Sequence, residues 1–173
     1  MSSFEDDAGG GFGEGADGGF AAGTAAGYNA PSVRQFSIFL ENRVGRLLDV
    51  LSSFDDAADV QLHALAVLEA TDFAVVRLIP DNADATRLLL RERSMAFSEI
   101  DINVVELDDE DHTLSRMCLC LLGAELNIQF MYPIMGDQPV AGPRLAICCD
   151  DNVFAGQVLL RKGYRMLGAG DLR

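Results

Sequence analysis

The sequence predicts an α+β fold built from two copies of one βαββαβ module, and three observations predict it. After Ser32, β-branched apolar runs alternate with amphipathic helical stretches in the order strand, helix, strand, strand, helix, strand. That order then starts again. Finally, the octet Leu40-Glu41-Asn42-Arg43-Val44-Gly45-Arg46-Leu47 joins the first strand to the first helix with a glycine where the chain must turn most tightly.

The residues up to Ser32 form a separate regime. They hold nine Gly and five acidic residues, with no Lys or Arg, and only Phe4, Phe12, Phe20 and Tyr28 are large and apolar or aromatic after Met1. Such a stretch cannot bury enough surface to offset its ordering entropy, so residues 1–32 read as a disordered Gly/acidic tail. Gly13-Glu14-Gly15-Ala16-Asp17-Gly18 matches Gly-x-Gly-x-x-Gly. A dinucleotide site needs a strand before this pattern and a helix after it, and neither is predicted.

Val33 to Leu40 is the first strand. In the following helix, from about Arg46 to Asp56, Leu47, Val50, Leu51 and Phe54 recur at i, i+3, i+4 and i+7 and mark one buried face. Val60 to Leu68 is a second strand, Glu69 to Asp72 a break, and Phe73 to Ile79 a third strand that stops at Pro80, which has no N–H for a ladder. Asp81 or Asn82 caps a second helix with Ala85, Leu88 and Leu89 on one face. Ile100 to Leu107 is a fourth strand, or one serving two units in succession. This is the split βαββαβ order of the ferredoxin-like fold.

The second copy follows residue by residue. Leu114, Met117, Cys118 and Leu121 repeat the stripe of the first helix 67 positions later (114 − 47 = 67). Asp151-Asn152 with Leu159-Leu160-Arg161 echo Asp81-Asn82 with Leu89-Leu90-Arg91 (151 − 81 = 70). Drifting offsets are what loop insertions in a duplicated module leave behind. The boundaries are therefore 33–103 and 104–173. Each copy alone, at roughly 70 residues, would be marginal in core size, so the two are expected to complete one another.

Composition removes several classes of function. A net charge of −14 argues against a surface that tracks nucleic-acid phosphates. No apolar run approaches the ~18 residues of a membrane span, and the acidic N-terminus carries no secretory signal, so the chain reads as cytoplasmic. Cys118 with Cys120 and Cys148 with Cys149 lack zinc spacing and read as reduced, buried thiols. Met117, Met131 and Met135 read as core or interface filler. His63 reads as a surface or interface residue, with a ligand cleft the alternative. No nucleophile elbow, Walker loop or His-Glu-x-x-His helix occurs, so no catalytic residues, metal ligands or cofactor are assigned.

The stretches FLENRVGRL, DFAVVRLIPDNADAT and ELNIQFMY, in this order, resemble small tandem ACT proteins. The first motif is also similar to the regulatory subunit of acetolactate synthase. The resemblance covers essentially everything after Ser32. It implies four-stranded antiparallel modules with two helices on one face, packed side by side into one sheet. It also implies amino-acid binding where the βα loop of one module meets the second strand of the other. Carried over, the loop is Asn42, Val44, Gly45, Arg46 and Leu47, and the opposing strand Asn127, Ile128, Gln129 and Phe130. The α-carboxylate would meet the N–H groups of the helix N-terminus, while Asn42 and strand carbonyls receive the ammonium. The structural alternative is a glycine-containing turn that binds nothing.

The second loop departs from the pattern. Asp109 stands where Asn42 does, His112 where Gly45 does, and Asp108 to Asp111 are four consecutive carboxylates that would repel an anionic ligand. One competent site is expected, with Asp111 and Thr113 as helix caps. A divalent cation on this cluster is disfavoured, since no second His lies near in sequence. The function expected is non-catalytic: a sensor of a branched-chain or small aliphatic amino acid that acts on a biosynthetic enzyme partner or through a homodimer. The alternatives are a regulatory subunit of acetolactate synthase and a constitutive interaction scaffold.

Overall fold

The computed structural model describes residues 30–69, 73–108, 110–135 and 142–172. The tail up to residue 29, its Gly-x-Gly-x-x-Gly match and Asp109 lie outside the described residues. The elements are β1 (Val33–Glu41), α1 (Arg46–Asp55), β2 (Leu62–Glu69), β3 (Phe73–Pro80), α2 (Ala83–Glu92), β4 (Phe97–Glu106), α3 (Leu114–Gly123), β5 (Ile128–Pro133), β6 (Arg144–Cys149), α4 (Asn152–Arg161) and β7 (Arg165–Leu167). A 3₁₀ turn, Ala169–Leu172, follows.

All strand pairs are antiparallel, in one seven-stranded sheet ordered β2-β3-β1-β4-β6-β5, with β7 also on β4. β4 changes partner along its length. Phe97 to Ile102 pair with β1, whereas Asn103 to Glu106 pair with β6 and Val104 to Glu106 also with β7. Its first half closes one βαββαβ unit and its second half opens the next.

Side-chain alternation assigns the two faces of the sheet. Phe36, Ile38, Leu40, Val76 and Leu78 pack with Val50, Phe54 and Leu90 of α1 and α2. Val105, Ile147 and Cys149 do the same with Met117, Leu121, Ala155 and Leu159 of α3 and α4. The helices thus share one face. The opposite face is not left to water. Val33, Ala64, Ile79, Ile102 and Val104 meet Tyr132, Ala146, Cys148 and Leu167 in a third core. The sheet therefore curls until the two halves cover each other, which gives each small module the burial it lacks alone. A backbone bond from Met135 N to His63 O (2.7 Å) links β2 to the chain just beyond β5. His63 is buried at this seam.

The helix starts follow their predicted chemistry, with one correction. Asn82 Oδ1 accepts from Ala85 N (3.1 Å), while Asp81 Oδ1 instead accepts from Gln61 N (2.8 Å). The buried residues of α2 are Thr86 and Leu90, and Leu88, expected on the packed face, is exposed. Thr86 is buried without loss because its hydroxyl donates to Asn82 O (2.8 Å). Below the sheet, Glu106 accepts from Arg144 Nε (3.3 Å) and Arg165 Nη1 (2.9 Å), pinning the end of β4 to β6 and β7. All four cysteines are free; burial pushes the Cys149 thiol up to about 11. Cys148 and Cys149 point into different cores, as neighbours on a strand must.

Candidate functional site

Gly45 is the N-cap residue of α1 with φ 92° and ψ −21°, the left-handed region that glycine enters without penalty. A Cβ built there would meet nothing within 4 Å, so the fold needs glycine for its backbone angle rather than for space. No side chain caps α1, whereas Asn82, Thr113 and Asp151 cap the other three helices. Arg46 N donates to Arg43 O (3.3 Å), so the N–H groups of Leu47 and Leu48, with the partial positive charge of the turn, are left for water or a ligand.

Beside this turn lies a cleft of about 240 Å³ under the start of α1, on the helix-bearing face of β1, β2 and β3. Leu40, Leu47, Val67, Ala74 and Val76 give it an apolar floor, and Glu41, Asn42, Arg43, Arg46 and Glu69 a polar rim. Asn42 Nδ2 donates to Glu69 Oε1 (3.1 Å), Arg43 pairs with Glu41 (3.3 Å) and Arg46 with Asp49 (3.2 Å). These pairs are solvent-exposed and individually weak, which leaves both signs of charge available to a zwitterion.

The fold distributes the nine expected site residues unevenly. Asn42, Arg46 and Leu47 line the cleft, while Gly45 and the fully exposed Val44 stand outside the lining. Asn127, Ile128, Gln129 and Phe130 do not line it. Asn127 is bound to Asp150 through its backbone N and Nδ2 (3.2 and 3.1 Å). Ile128 packs into the second helix–sheet core. Gln129 Oε1 accepts from Cys148 Sγ (3.5 Å), and the Phe130 ring lies beneath the Arg77 guanidinium at 4.1 Å. In their place stand Glu41, Arg43, Val67 and Glu69. Glu69 ends β2 level with Ala74, a register that the sequence does not display.

The second loop is occupied by its own carboxylate. Asp108 Oδ1 accepts from the backbone N–H groups of Glu110 (3.1 Å), Asp111 (2.9 Å) and His112 (2.6 Å), and its Oδ2 meets His112 Nδ1 at 2.7 Å. These bonds, led by those from His112, lower the carboxyl to about 2. Thr113 caps α3 and Asp111 pairs with Arg116 (2.7 Å). The His112 ring packs edge-on against Tyr164, at 4.8 Å between centroids. No group of side chains suited to a metal ion occurs among the described residues.

Residues 31–164 match the family model described as an ACT domain pair. The chain belongs to the ACT domain pair family. ACT domains are regulatory, ligand-binding modules, so the role of this tandem ACT protein is regulatory and non-catalytic. Its fold matches the crystal structure of protein BT0572 from Bacteroides thetaiotaomicron with a TM-score of 0.74, at 26% identity, over 84% of this chain and 98% of that one. The ligand-free regulatory subunit of aspartate kinase from Thermus thermophilus shares the fold at a TM-score of 0.50 and 8% identity, over 77% and 93% of the two chains. No curated protein matches this ACT pair significantly. No helix among the described residues is long and apolar enough to cross a membrane.

Proposed function

We propose that this ACT pair senses a branched-chain or small aliphatic amino acid in the cleft beside Gly45. One observation carries the proposal: cationic Arg43 and Arg46 and anionic Glu41 and Glu69 share the rim of one cleft with an apolar floor. The α-carboxylate would lie on the uncapped N-terminus of α1 with Arg43 and Arg46. The ammonium would lie against Glu69 and Glu41, with Asn42 holding Glu69 in place. Leu47, Val67 and Val76 would receive the side chain. Asn127 to Phe130 are left out of this site because other contacts hold them.

Regulation would act by linkage: the amino acid favours one packing of the pair, and through it one state of an enzyme partner or of a homodimer. A biosynthetic enzyme such as acetolactate synthase fits that role, in keeping with the similarity of FLENRVGRL. We treat residues 33–103 and 104–173 as the two modules and the chain as cytoplasmic. A constitutive scaffold is the second reading, favoured by exposed Leu119 and Leu122 beside an open groove between α3 and α4.

Thermal melting and calorimetry with leucine, valine, isoleucine, alanine and glycine separate the two. A ligand at 100 times its Kd adds about 2.7 kcal/mol of stability. Glu69→Gln should weaken binding and leave the melting temperature of the free protein nearly unchanged. If no amino acid binds at millimolar concentration, the scaffold reading stands and the sensor reading falls.

A further inference from the structure

We infer that the seam between the two half-sheets holds a second ligand site, for a carboxylate carried on an apolar body, with Arg77 as its anion receptor. It lies on the opposite face of β1, β2 and β3 from the Gly45 cleft. Arg77, on β3, projects from the face that meets the second half-sheet, and its guanidinium rests 4.1 Å above the ring of Phe130 on β5. Its Nε is buried and has no hydrogen-bond partner among the described residues, and none of their carboxylates comes within ion-pairing distance. In a chain with 27 acidic and 13 basic side chains, counter-ions are plentiful. A partly buried guanidinium left without one is a cation set aside, because an unpaired charge is costly to hold away from water. The ring of Phe130 offsets part of that cost and fixes the plane of the guanidinium.

Cross-strand register places an apolar entrance beside it. Ser37, Arg77 and Ala66 lie level across β1, β3 and β2, and Phe39, Val75 and Leu68 form the next row on the same face. Phe39, Leu68 and Phe73 are 46%, 53% and 46% exposed, since the second half-sheet does not reach that far. Large apolar groups rarely stand together in water without a use. The Ser37 hydroxyl already accepts from Gln35 Nε2 (3.2 Å), which leaves its own proton for a second acceptor. A lone anion would leave the apolar rows wet, and a hydrocarbon would leave Arg77 unpaired. A carboxylate with an apolar tail satisfies both, with its head in a charge-assisted bond to the guanidinium and its tail over Phe39, Leu68 and Phe73.

Calorimetry on the full chain with sodium octanoate tests this, with sodium acetate and octan-1-ol as the head alone and the tail alone. Octanoate should saturate one site, at least tenfold more tightly than either. Arg77→Met, which keeps the stem and removes the charge, should weaken octanoate at least tenfold. Phe39→Ser, at an exposed position, should weaken it several-fold with the circular dichroism of the parent. If Arg77→Met does not fold, Phe39→Ser and the three probes still decide. Gly45→Ala should leave octanoate binding within twofold, which separates this site from the amino-acid cleft. Equal binding of octanoate and octan-1-ol, or undiminished binding to Arg77→Met, would overturn the assignment. So would a dimer in sedimentation velocity that Phe39→Ser converts to monomer while octanoate fails to bind, since a second copy would then cover this face.

Discussion

The Tyr132 hydroxyl on β5 donates to Gln35 Oε1 on β1 at 2.6 Å, a buried bond between residues 97 apart in sequence and in different modules. Burial pushes the Tyr132 phenol well above its usual pKa, so at neutral pH it stays a donor. Gln35 is wholly inaccessible, and its Nε2 donates to Ser37 Oγ (3.2 Å). Tyr132→Phe removes the donor and leaves a buried carbonyl oxygen unsatisfied, which costs about 1–3 kcal/mol. Urea unfolding should show that loss as a single transition. Adding Gln35→Leu should recover much of it, because both polar partners are then gone.

Acid should loosen the second loop through Asp108. Its folded pKa of about 2 lies below the usual 3.8, so its hydrogen bonds stabilise the fold fully above about pH 4. That contribution fades as pH falls from about 4 toward 2. Melting temperatures of the parent and Asp108→Asn across this window should converge toward low pH. A constant gap would mean that the carboxylate does not carry the effect.

Two helix-end residues should respond to substitution in opposite directions. Gly45→Ala puts a side chain at φ 92° and should cost about 1–2 kcal/mol through the backbone alone, since its Cβ meets nothing. Glu125, just past α3, already carries that kind of strain at φ 59°. Glu125→Gly should therefore stabilise by up to about 1 kcal/mol, as glycine is the residue preferred there. Chemical denaturation of both variants measures the pair.

Removal of residues 1–29 should shift the melting temperature little, because that stretch has too little apolar content to add to a core. Removal through Pro31 should cost more. The Ala30 Cβ fills the space beside Gly156 on α4, 2.6 Å from where a Cβ would stand, and the Pro31 Cβ approaches Gly168. Differential scanning calorimetry of the two truncations would separate these effects. An equal shift for both would show that these two contacts carry no stability.

Local chemistry made most of the fold legible in the sequence. The strand–turn–helix at Gly45, the Pro80 strand end and the Asn82 cap depend on neighbours in the chain, and periodicity reads such features well. The face of α2 was misread because Thr86 looks polar, yet its hydroxyl is satisfied within its own helix turn and lets it pack. The inner face of the first half-sheet was harder still. Gln35, Ser37 and Arg77 alternate with Phe36, Ile38, Val76 and Leu78 as though one side faced water. Only the curl of the sheet, set by contacts 50 to 100 residues apart, turns that side inward. At the candidate site, the loop residues Asn42, Arg46 and Leu47 were legible for the same local reason. Glu41 and Arg43 flank Asn42 in the same octet but were not assigned. Val67 and Glu69 were not legible, because the register of β1, β2 and β3 is what brings them to the loop.

The strand that changes partner at Ile102 and Asn103 has a mechanical consequence. Two independent four-stranded units would need eight strands and a hinge, whereas the described residues form seven strands, with β4 shared between the units in place of a hinge. A twist applied to β1 is transmitted along one covalent rod to β6 and β7, with no linker to absorb it. A ligand that shifts one half therefore reaches the other as torque rather than as a message passed between bodies, and no cut or insertion inside that rod leaves either half intact.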